Sequence, residues 1–374
     1  MSTVHLVYPH GDSVACPHAI GVELAKRLRL QHRVLHYDLT HPVRMQPEQG
    51  DVLLGFPDST LWSPFRRSLD DPRWGRKIAM APFTHGDARY CAYLDRILPK
   101  CDAFLAITGQ YWFKTTPESS CRHWFPKMVH LDLAIDRANF PALKKRFNAP
   151  GKRRFVYIGH SGFYKNVGYL NEIARAMRSN HFGWIGDAKE DFESLCPQGQ
   201  HDFRSQSARE IVSSYDFLIT VGHADPNPTV ILEAMAWGLI PVCTRESGYD
   251  TERGIINVPL NDVSGAVRIL SELQEKSEDD LIAQQEHNWR RLDGHFTWDR
   301  FAAVVAATIG SKDKPPVGAQ GVADRLRMRA QELRSPYAFW RYHSFRRSLL
   351  LKLFAVRKRH SCADPDNCMS ARGR

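Results

Sequence analysis

The segment of residues 225–242 constrains the fold most, because it combines a helix start, a helix end and a following strand. Asn227 is a favoured N-cap residue, and Pro228 suits the first helical position, where its missing N–H costs nothing. Gly238 and Pro241 end the helix ahead of a strand-like Pro-Val-Cys. The segment therefore predicts a short helix that leads the chain directly into a strand.

The start of this helix has the features of an anion-binding site. The amides of Thr229 and Val230 lie in the first turn, where they lack helical partners and where the helix dipole is positive. Glu233 shares their face one turn later, and Asp225 lies just before the helix. Amides that bind phosphate and carboxylates that bind hydroxyls suit a phosphate ester of a polyol. The alternative is an ordinary capped helix of the core.

The spacing of these residues resembles the nucleotide-binding signature of glycosyltransferase family 4. In that signature an acid is followed by seven residues, a Glu, and then Ala-Met-Ala-x-Gly-x-x-Pro-Val. Asp225 and Glu233 have this spacing, but the family usually has Glu where this chain has the shorter Asp225. The resemblance covers roughly residues 1–310. It implies an α/β chain with the GT-B fold, in which two doubly wound, Rossmann-like domains face each other across a cleft.

The rest of the chain agrees with two α/β halves. Short apolar runs alternate with helical stretches, for example runs at residues 33–37 and 182–185, a helix at 18–30, and a helix at 289–307 broken at Gly294. Such alternation predicts parallel sheets. The expected division is an acceptor-side domain at 1–145, a nucleotide-sugar domain at 152–297, a crossover helix back to the first domain at 298–310, and a basic helical extension at 311–374.

A second loop of the nucleotide-sugar domain has residues suited to a diphosphate. Gly159 lets the backbone approach a ligand, and Lys165 can reach a diphosphate as a point charge. Family 4 has Gly-Arg-x-x-x-x-Lys here, with both basic residues on the donor diphosphate. His160 replaces that Arg and can still donate a hydrogen bond, with a charge that depends on pH. Gly248 lies in a loop that resembles the family's Gly-Gly loop, and we expect it to position backbone near the donor.

Two loops of the first half are candidates for the other wall of the cleft. His85 follows an apolar strand, and ligands of parallel α/β sheets bind at the carboxyl ends of strands. Family relatives often have a His at this point, near the transferred sugar; the alternative is a plain loop histidine. Gly11 follows the first strand and is expected on the acceptor side, where its backbone can approach the acceptor or the donor phosphate. His10 and Asp12 beside it are expected to contact the acceptor.

The net charge of +10 lies entirely in the last part of the chain. Residues 311–374 hold 15 Lys and Arg against 5 Asp and Glu, so the first 310 residues are neutral. This argues against nucleic-acid binding by the body on charge alone. The sequence shows no signal-peptide start and no apolar run of about 18 residues, which predicts a cytoplasmic protein. The eight cysteines form no Cys-x-x-Cys pair and are expected to be reduced.

The basic extension is expected to contain helices at residues 322–333 and 337–359, separated at Pro336. The second helix collects apolar residues on one face, with basic residues beside them. One interpretation is that residues 322–359 bind an anionic membrane surface, which would make the protein peripheral and bring it to a lipid-linked acceptor. The alternative is a helix packed on the body. No nucleic-acid partner is expected, because an aromatic–Gly recognition motif is lacking.

The resemblance implies a retaining transfer of a sugar from a nucleoside-diphosphate donor to a glycan or lipid-linked glycan. Asp225 would hold the sugar hydroxyls and Glu233 the ribose hydroxyls. Lys165 and the helix amides would stabilise the charge on the leaving phosphate. The implied catalytic residues are His85, Asp225 and Lys165, and the implied donor-binding residues are Gly159, His160, Lys165, Asn227, Thr229, Val230, Glu233 and Gly248.

No metal ion is expected, and no cofactor besides the nucleotide sugar, which is a co-substrate. Residues 1–310 contain no Asp-x-Asp metal motif and no zinc-type spacing of ligands. Two alternatives to a transferase stay open. One is an inactive GT-B-shaped protein that binds a sugar or a partner, suggested by the departures at Asp225 and His160. The other is a nucleotide-sugar epimerase of the same fold, which needs no acceptor.

Overall fold

Two six-stranded, fully parallel sheets organise the chain, one in each half, and they confirm the predicted α/β architecture. Alternate residues of a strand enter different cores. In the strand that contains residues 76–82, Ile78 and Met80 join one cluster of buried side chains, and Ala79 and Ala81 join another. The computed structural model describes residues 3–10, 18–39, 43–60, 62–177, 182–187, 192–250, 254–318 and 320–334, without the side chains of 331–334.

The first sheet has the strand order β2-β1-β3-β4-β5-β6, so the order reverses between β1 and β3. Ligands of such sheets bind beyond the carboxyl ends of the strands, where the order reverses. The strands are β1 (Thr3–Val7), β2 (Arg33–Tyr37), β3 (Val52–Gly55), β4 (Arg76–Pro82), β5 (Ala103–Ile107) and β6 (Met128–Leu131). The helices are α1 (His18–Leu28), α2 (Pro64–Ser68), α3 (Ala88–Leu94) and α4 (Gln110–Thr115).

The second sheet has the order β12-β11-β10-β7-β8-β9, which reverses between β7 and β10. Its strands are β7 (Phe155–Ile158), β8 (Phe182–Ile185), β9 (Cys196–Gly199), β10 (Phe217–Thr220), β11 (Ile240–Thr244) and β12 (Ile256–Val258). The helices that follow are α5 (Val167–Ala176), α6 (Gln206–Ser213), α7 (Thr229–Trp237), α8 (Val263–Glu275), α9 (Glu278–Gly294), α10 (Trp298–Gly310) and α11 (Val322–Arg334).

The predicted elements agree with the structure where the apolar pattern is strong, and they fail where it is weak. The strands expected at 33–37 and 182–185 have those bounds. The break expected at Gly294 is confirmed, because α9 ends there and α10 begins at Trp298. The expected start at residue 289 was wrong: α9 begins eleven residues earlier, where Ser277 Oγ accepts a hydrogen bond from the Asp280 amide at 3.1 Å. Its polar first turns obscured this start. The edge strand β9 was not expected, because Cys-Pro-Gln-Gly is a poor strand sequence.

The two halves are tied together at residues 142–152 and at α10. The amides of Leu143 and Lys144 donate to the Trp237 carbonyl at 2.9 Å, which fastens this segment to the end of α7. Helix α10 packs against α1 of the first half. There the Arg27 Nε donates to Asp299 Oδ1 at 2.6 Å.

Helix α11, the first helix of the basic extension, packs on the body of the first half. Met328 is buried in the same apolar cluster as Leu94 of α3. The buried Asp324 carboxylate pairs with Arg122 at 2.6 Å. No helix within the described ranges is long and apolar enough to span a bilayer. The helix predicted at 337–359 lies outside the described residues, so its membrane interpretation stays a prediction.

Candidate functional site

Two loops meet where the strand order of the second sheet reverses. One loop, residues 159–166, follows β7, and the other, residues 221–228, follows the neighbouring β10. The His223 amide donates to the Tyr164 carbonyl at 3.0 Å and joins the loops. Between them, Lys165 Nζ lies 2.5 Å from Asp225 Oδ2, with both side chains largely buried. Two residues that the sequence marked as candidates, 60 positions apart, thus form one ion pair in the crevice.

The loop after β7 is held by its own polar groups. The Gly159 amide donates to the Ile185 carbonyl at 2.9 Å, and its φ of 148° is a conformation that favours glycine. His160 is exposed, and its Nδ1 accepts a hydrogen bond from the Gly162 amide at 2.9 Å. Its Nε2 lies 3.0 Å from the Tyr164 hydroxyl. The imidazole of His160 therefore stabilises the loop that contains Lys165 through these two contacts.

The start of α7 corrects the predicted cap. Asn227 was expected to be the N-cap, but the helix begins at Thr229, and Pro228 stands at the cap position with no side-chain hydrogen bond. The Asn227 Oδ1 instead accepts a hydrogen bond from the buried Tyr249 hydroxyl. A buried hydroxyl needs an acceptor, and this tertiary contact outweighs the local preference for capping. The N-cap role of Asn227 was wrong.

The helix start still presents open amides. The Ile231 amide donates to the Pro228 carbonyl at 3.1 Å, which leaves the amides of Thr229 and Val230 at the positive end of the helix. Glu233 follows one turn later on the same face. No group within the described part of the chain hydrogen-bonds its carboxylate, and burial raises its pKa to about 7. A partly buried acceptor without a donor is available to a ligand.

The first half supplies the opposite wall through the loop after β4. His85 Nε2 lies 2.7 Å from Thr115 Oγ1, whose own hydrogen goes to the Tyr111 carbonyl at 2.8 Å. The hydrogen-bond pattern therefore assigns the His85 proton to Nε2 and leaves Nδ1 as an acceptor. Burial lowers the pKa of His85 to about 4, so the ring is neutral at physiological pH. A neutral ring of this kind can accept a hydrogen bond from a hydroxyl.

Backbone contacts join the two walls. The Gly109 amide donates to the Pro226 carbonyl at 2.8 Å, and the Tyr111 amide donates to the Gly248 carbonyl at 3.2 Å. A Cβ on Gly109 would lie 2.1 Å from that Gly248 oxygen, so only glycine fits. Gly248, a predicted donor-side residue, therefore lies at the junction of the halves. Sequence reasoning missed Gly109 and Tyr111, and the available signal was their position after an apolar strand.

The predicted acceptor-side loop is only partly described. The His10 amide donates to the Asp38 carboxylate at 3.1 Å, and its ring lies 4.8 Å from that of His36. These contacts hold His10 beside the end of β2. Gly11 and Asp12 lie outside the described residues.

Within the described ranges, no three His, Cys, Asp or Glu side chains are grouped so that they could hold a metal ion.

Comparisons with known proteins identify the architecture. No protein-family model and no curated protein sequence matches the chain. Solved structures do match: a glycosyltransferase from Rickettsia africae ESF-5 has a TM-score of 0.58 at 12% identity and covers 82% of this chain and 97% of its own. Sucrose-phosphate synthase from Thermosynechococcus elongatus has a TM-score of 0.60 at 12% identity, covering 82% of this chain and 98% of its own. Anabaena HepE in complex with UDP and glucose has a TM-score of 0.60 at 9% identity, covering 83% and 99%.

These similarities define the fold of the chain. The three structures are GT-B proteins. Nearly the full length of each one superposes on this chain, and the matched part of this chain includes both sheets. The chain therefore has the GT-B fold, two Rossmann-like domains that meet across a cleft, as the sequence predicted.

Proposed function

We propose that the protein is a glycosyltransferase that moves a sugar from a nucleoside-diphosphate donor to an acceptor. The observation that carries this proposal is the Lys165–Asp225 pair in the crevice between β7 and β10, beside the open helix start at Thr229. A cation and helix amides suit a diphosphate, and a carboxylate beside them suits sugar hydroxyls. The fold match to HepE, which was solved with UDP and glucose, supports this class of donor.

The proposed chemistry breaks the bond between the anomeric carbon and the diphosphate oxygen. Negative charge grows on that oxygen, and the Lys165 ammonium and the amides of Thr229 and Val230 stabilise it. The Lys165 ammonium also donates to Asp225 Oδ2, and this contact holds it in the crevice. The acceptor oxygen forms the new bond to the anomeric carbon as the old bond breaks, and the proton of the acceptor hydroxyl passes to the leaving diphosphate oxygen. We assign retention of configuration, and transfer without a metal, on the resemblance to family 4.

Two further groups bind hydroxyls of the donor in this proposal. The Glu233 carboxylate accepts hydrogen bonds from the ribose, which provides the donors that it lacks in the protein. His85 Nδ1 accepts one from the transferred sugar, since the neutral ring has that nitrogen free of a proton. The acceptor is a glycan or a lipid-linked glycan that enters from the loops of the first domain.

A panel of UDP, GDP, ADP and their sugars tests the proposed donor in a thermal-shift experiment. We expect one nucleotide series to raise the melting temperature, because a ligand at 100 times its Kd stabilises a protein by about 2.7 kcal/mol. No stabilisation by any member would overturn the donor site. Stabilisation without nucleotide release would favour an inactive binding protein, and conversion of the donor sugar without an acceptor would favour an epimerase.

We propose that residues 337–359 bring the protein to an anionic membrane surface, whereas α11 stays packed on the body through Met328. The basic and apolar pattern of this segment supports the proposal. We expect the full chain to sediment with phosphatidylserine vesicles, less so at high salt, and a chain that ends at Arg334 to stay in solution. If the two chains sediment with the vesicles to the same extent, residues 337–359 do not bind the membrane surface.

A further inference from the structure

Trp112 lies where the two domains meet and contacts both walls of the cleft. It belongs to α4 of the first domain and is 3% exposed. Its indole Nε1 donates to the Asp225 carbonyl at 3.0 Å and to the Glu246 carbonyl at 3.2 Å, both in the second domain. The indole therefore fixes the backbone of the residue whose carboxylate pairs with Lys165.

The other contact of the same ring is with His85. The two rings meet edge to face with their centroids 4.8 Å apart. Helix α4 also provides Thr115, whose Oγ1 takes the hydrogen bond of His85 Nε2. A Cβ on the neighbouring Gly86 would touch both Trp112 and Ala224, so the loop after β4 lies directly against the loop after β10.

We propose that Trp112 is a positioning residue that sets the distance between His85 on one wall and Asp225 on the other. The assignment rests on the proposed glycosyl transfer. Neither hydrogen bond of the indole is made to a reacting group, so Trp112 acts only through the two residues that it holds. A displacement of about 1 Å between reacting groups can lower a rate about a hundredfold. In the proposed function only one hydrogen bond of the donor, from its sugar to His85, is made to the first domain, and the nucleoside diphosphate is held by the second domain.

Trp112→Phe tests this, because it keeps an aromatic ring against His85 and removes both interdomain hydrogen bonds. Turnover is measured as nucleotide release from the sugar nucleotide that the panel selects, with water as the acceptor. We expect kcat to fall at least about tenfold, and KM for the donor to change less than about threefold. Thr115→Val, which removes the partner of His85 and keeps the indole, should give the same pattern.

Trp74→Phe is a matched control from the same domain. Trp74 is 6% exposed, meets His5 edge to face at 4.9 Å, and donates its Nε1 to the Ser68 carbonyl at 2.8 Å. Trp74→Phe therefore also loses a hydrogen bond from an indole to a backbone carbonyl, but at a position away from the cleft. We expect the melting temperature of Trp74→Phe to fall and its kcat to stay at the wild-type value.

The outcomes separate this assignment from the proposed function. Wild-type kcat in Trp112→Phe, or equal losses of kcat in Trp112→Phe and Trp74→Phe, would overturn the positioning role while nucleotide binding persists. If Trp112→Phe does not fold, wild-type kcat in Thr115→Val overturns the role. A wild-type protein that binds no nucleotide overturns the proposed function itself, and the positioning role with it.

Discussion

Replacing Glu233 by Gln is expected to raise the melting temperature of the ligand-free protein at pH 8 and to weaken its binding of nucleotide. Burial raises the pKa of the Glu233 carboxyl from 4.5 to about 7. Between these values the folded protein holds a proton that the unfolded chain has released, so stability falls as pH rises. Above pH 7 the Glu233 carboxyl is charged in the folded and in the unfolded protein, so the loss of stability is complete.

The size of the effect follows from the same two pKa values. A tenfold change in an ionisation constant is worth about 1.4 kcal/mol, so the charged carboxylate costs the fold at most about 3.5 kcal/mol. The Gln amide recovers part of this, because it is neutral but still lacks hydrogen-bond partners. We expect a gain in melting temperature of about 2–5 °C at pH 8 and none at pH 4. Calorimetric melting of both proteins at the two pH values measures it.

The same substitution acts in the opposite direction on the ligand. A carboxylate accepts the ribose hydrogen bonds more strongly than an amide, so E233Q should bind nucleotide at least about tenfold more weakly at pH 8. Wild-type affinity should fall about tenfold for each pH unit below 7, because the ligand selects the ionised carboxylate.

Titration calorimetry at pH 6 and pH 8 tests both statements about the ligand. E233Q is the control for ionisation of the nucleotide phosphate. Any pH dependence of affinity that comes from the phosphate appears in both proteins, and the part that comes from Glu233 appears only in the wild type. If E233Q binds as tightly as the wild type and melts below it at pH 8, Glu233 is a packing residue only.

The residues of the proposed donor site could be selected from sequence because their features are local. First-turn amides at Thr229 and Val230, a carboxylate one turn later at Glu233, and a Lys after a strand can each be recognised within a few residues. Predicting the ion pair of Lys165 with Asp225 would have required the order of the strands as well, because the two residues follow strands that are neighbours only in the sheet. That order is a property of the sheet and not of either loop.

The junction of the two domains could not be predicted in this way. Gly109 has no side chain, and what makes it necessary is the Gly248 carbonyl of the other domain, 2.1 Å from the place of a Cβ. Trp112 resembles any buried Trp until its partner carbonyls are known. At Asn227, local capping preference lost to the Tyr249 hydroxyl, which lies 22 residues away in the chain. Contacts between distant segments decided each of these positions.

Removing one partner of the Lys165–Asp225 pair is expected to harm both stability and turnover, and removing both is expected to restore stability alone. Lys165→Met leaves the Asp225 carboxylate largely buried without its cation, which costs about 3–5 kcal/mol. Lys165→Met/Asp225→Asn has neither charge, so its free energy of unfolding should return to within about 1–2 kcal/mol of wild type. Urea unfolding of the wild type, both single variants and the double variant measures this recovery.

Turnover separates the two roles of the pair. Loss of a group that stabilises charge on a leaving oxygen costs about 100-fold or more in kcat, so the double variant should remain as slow as Lys165→Met. Lys144 provides the matched control: its Nζ lies 2.9 Å from Asp216 Oδ1, both side chains are buried, and Asp216 precedes β10 at the edge of the sheet away from the cleft. Lys144→Met should also lose stability, but less, because Asp216 still accepts hydrogen bonds from Asn148 and from the Arg154 amide. The variant should keep its kcat per folded molecule. Recovery of both stability and turnover in the double variant would reduce the Lys165–Asp225 pair to a structural ion pair, because charge on the leaving phosphate would then need no cation at this position.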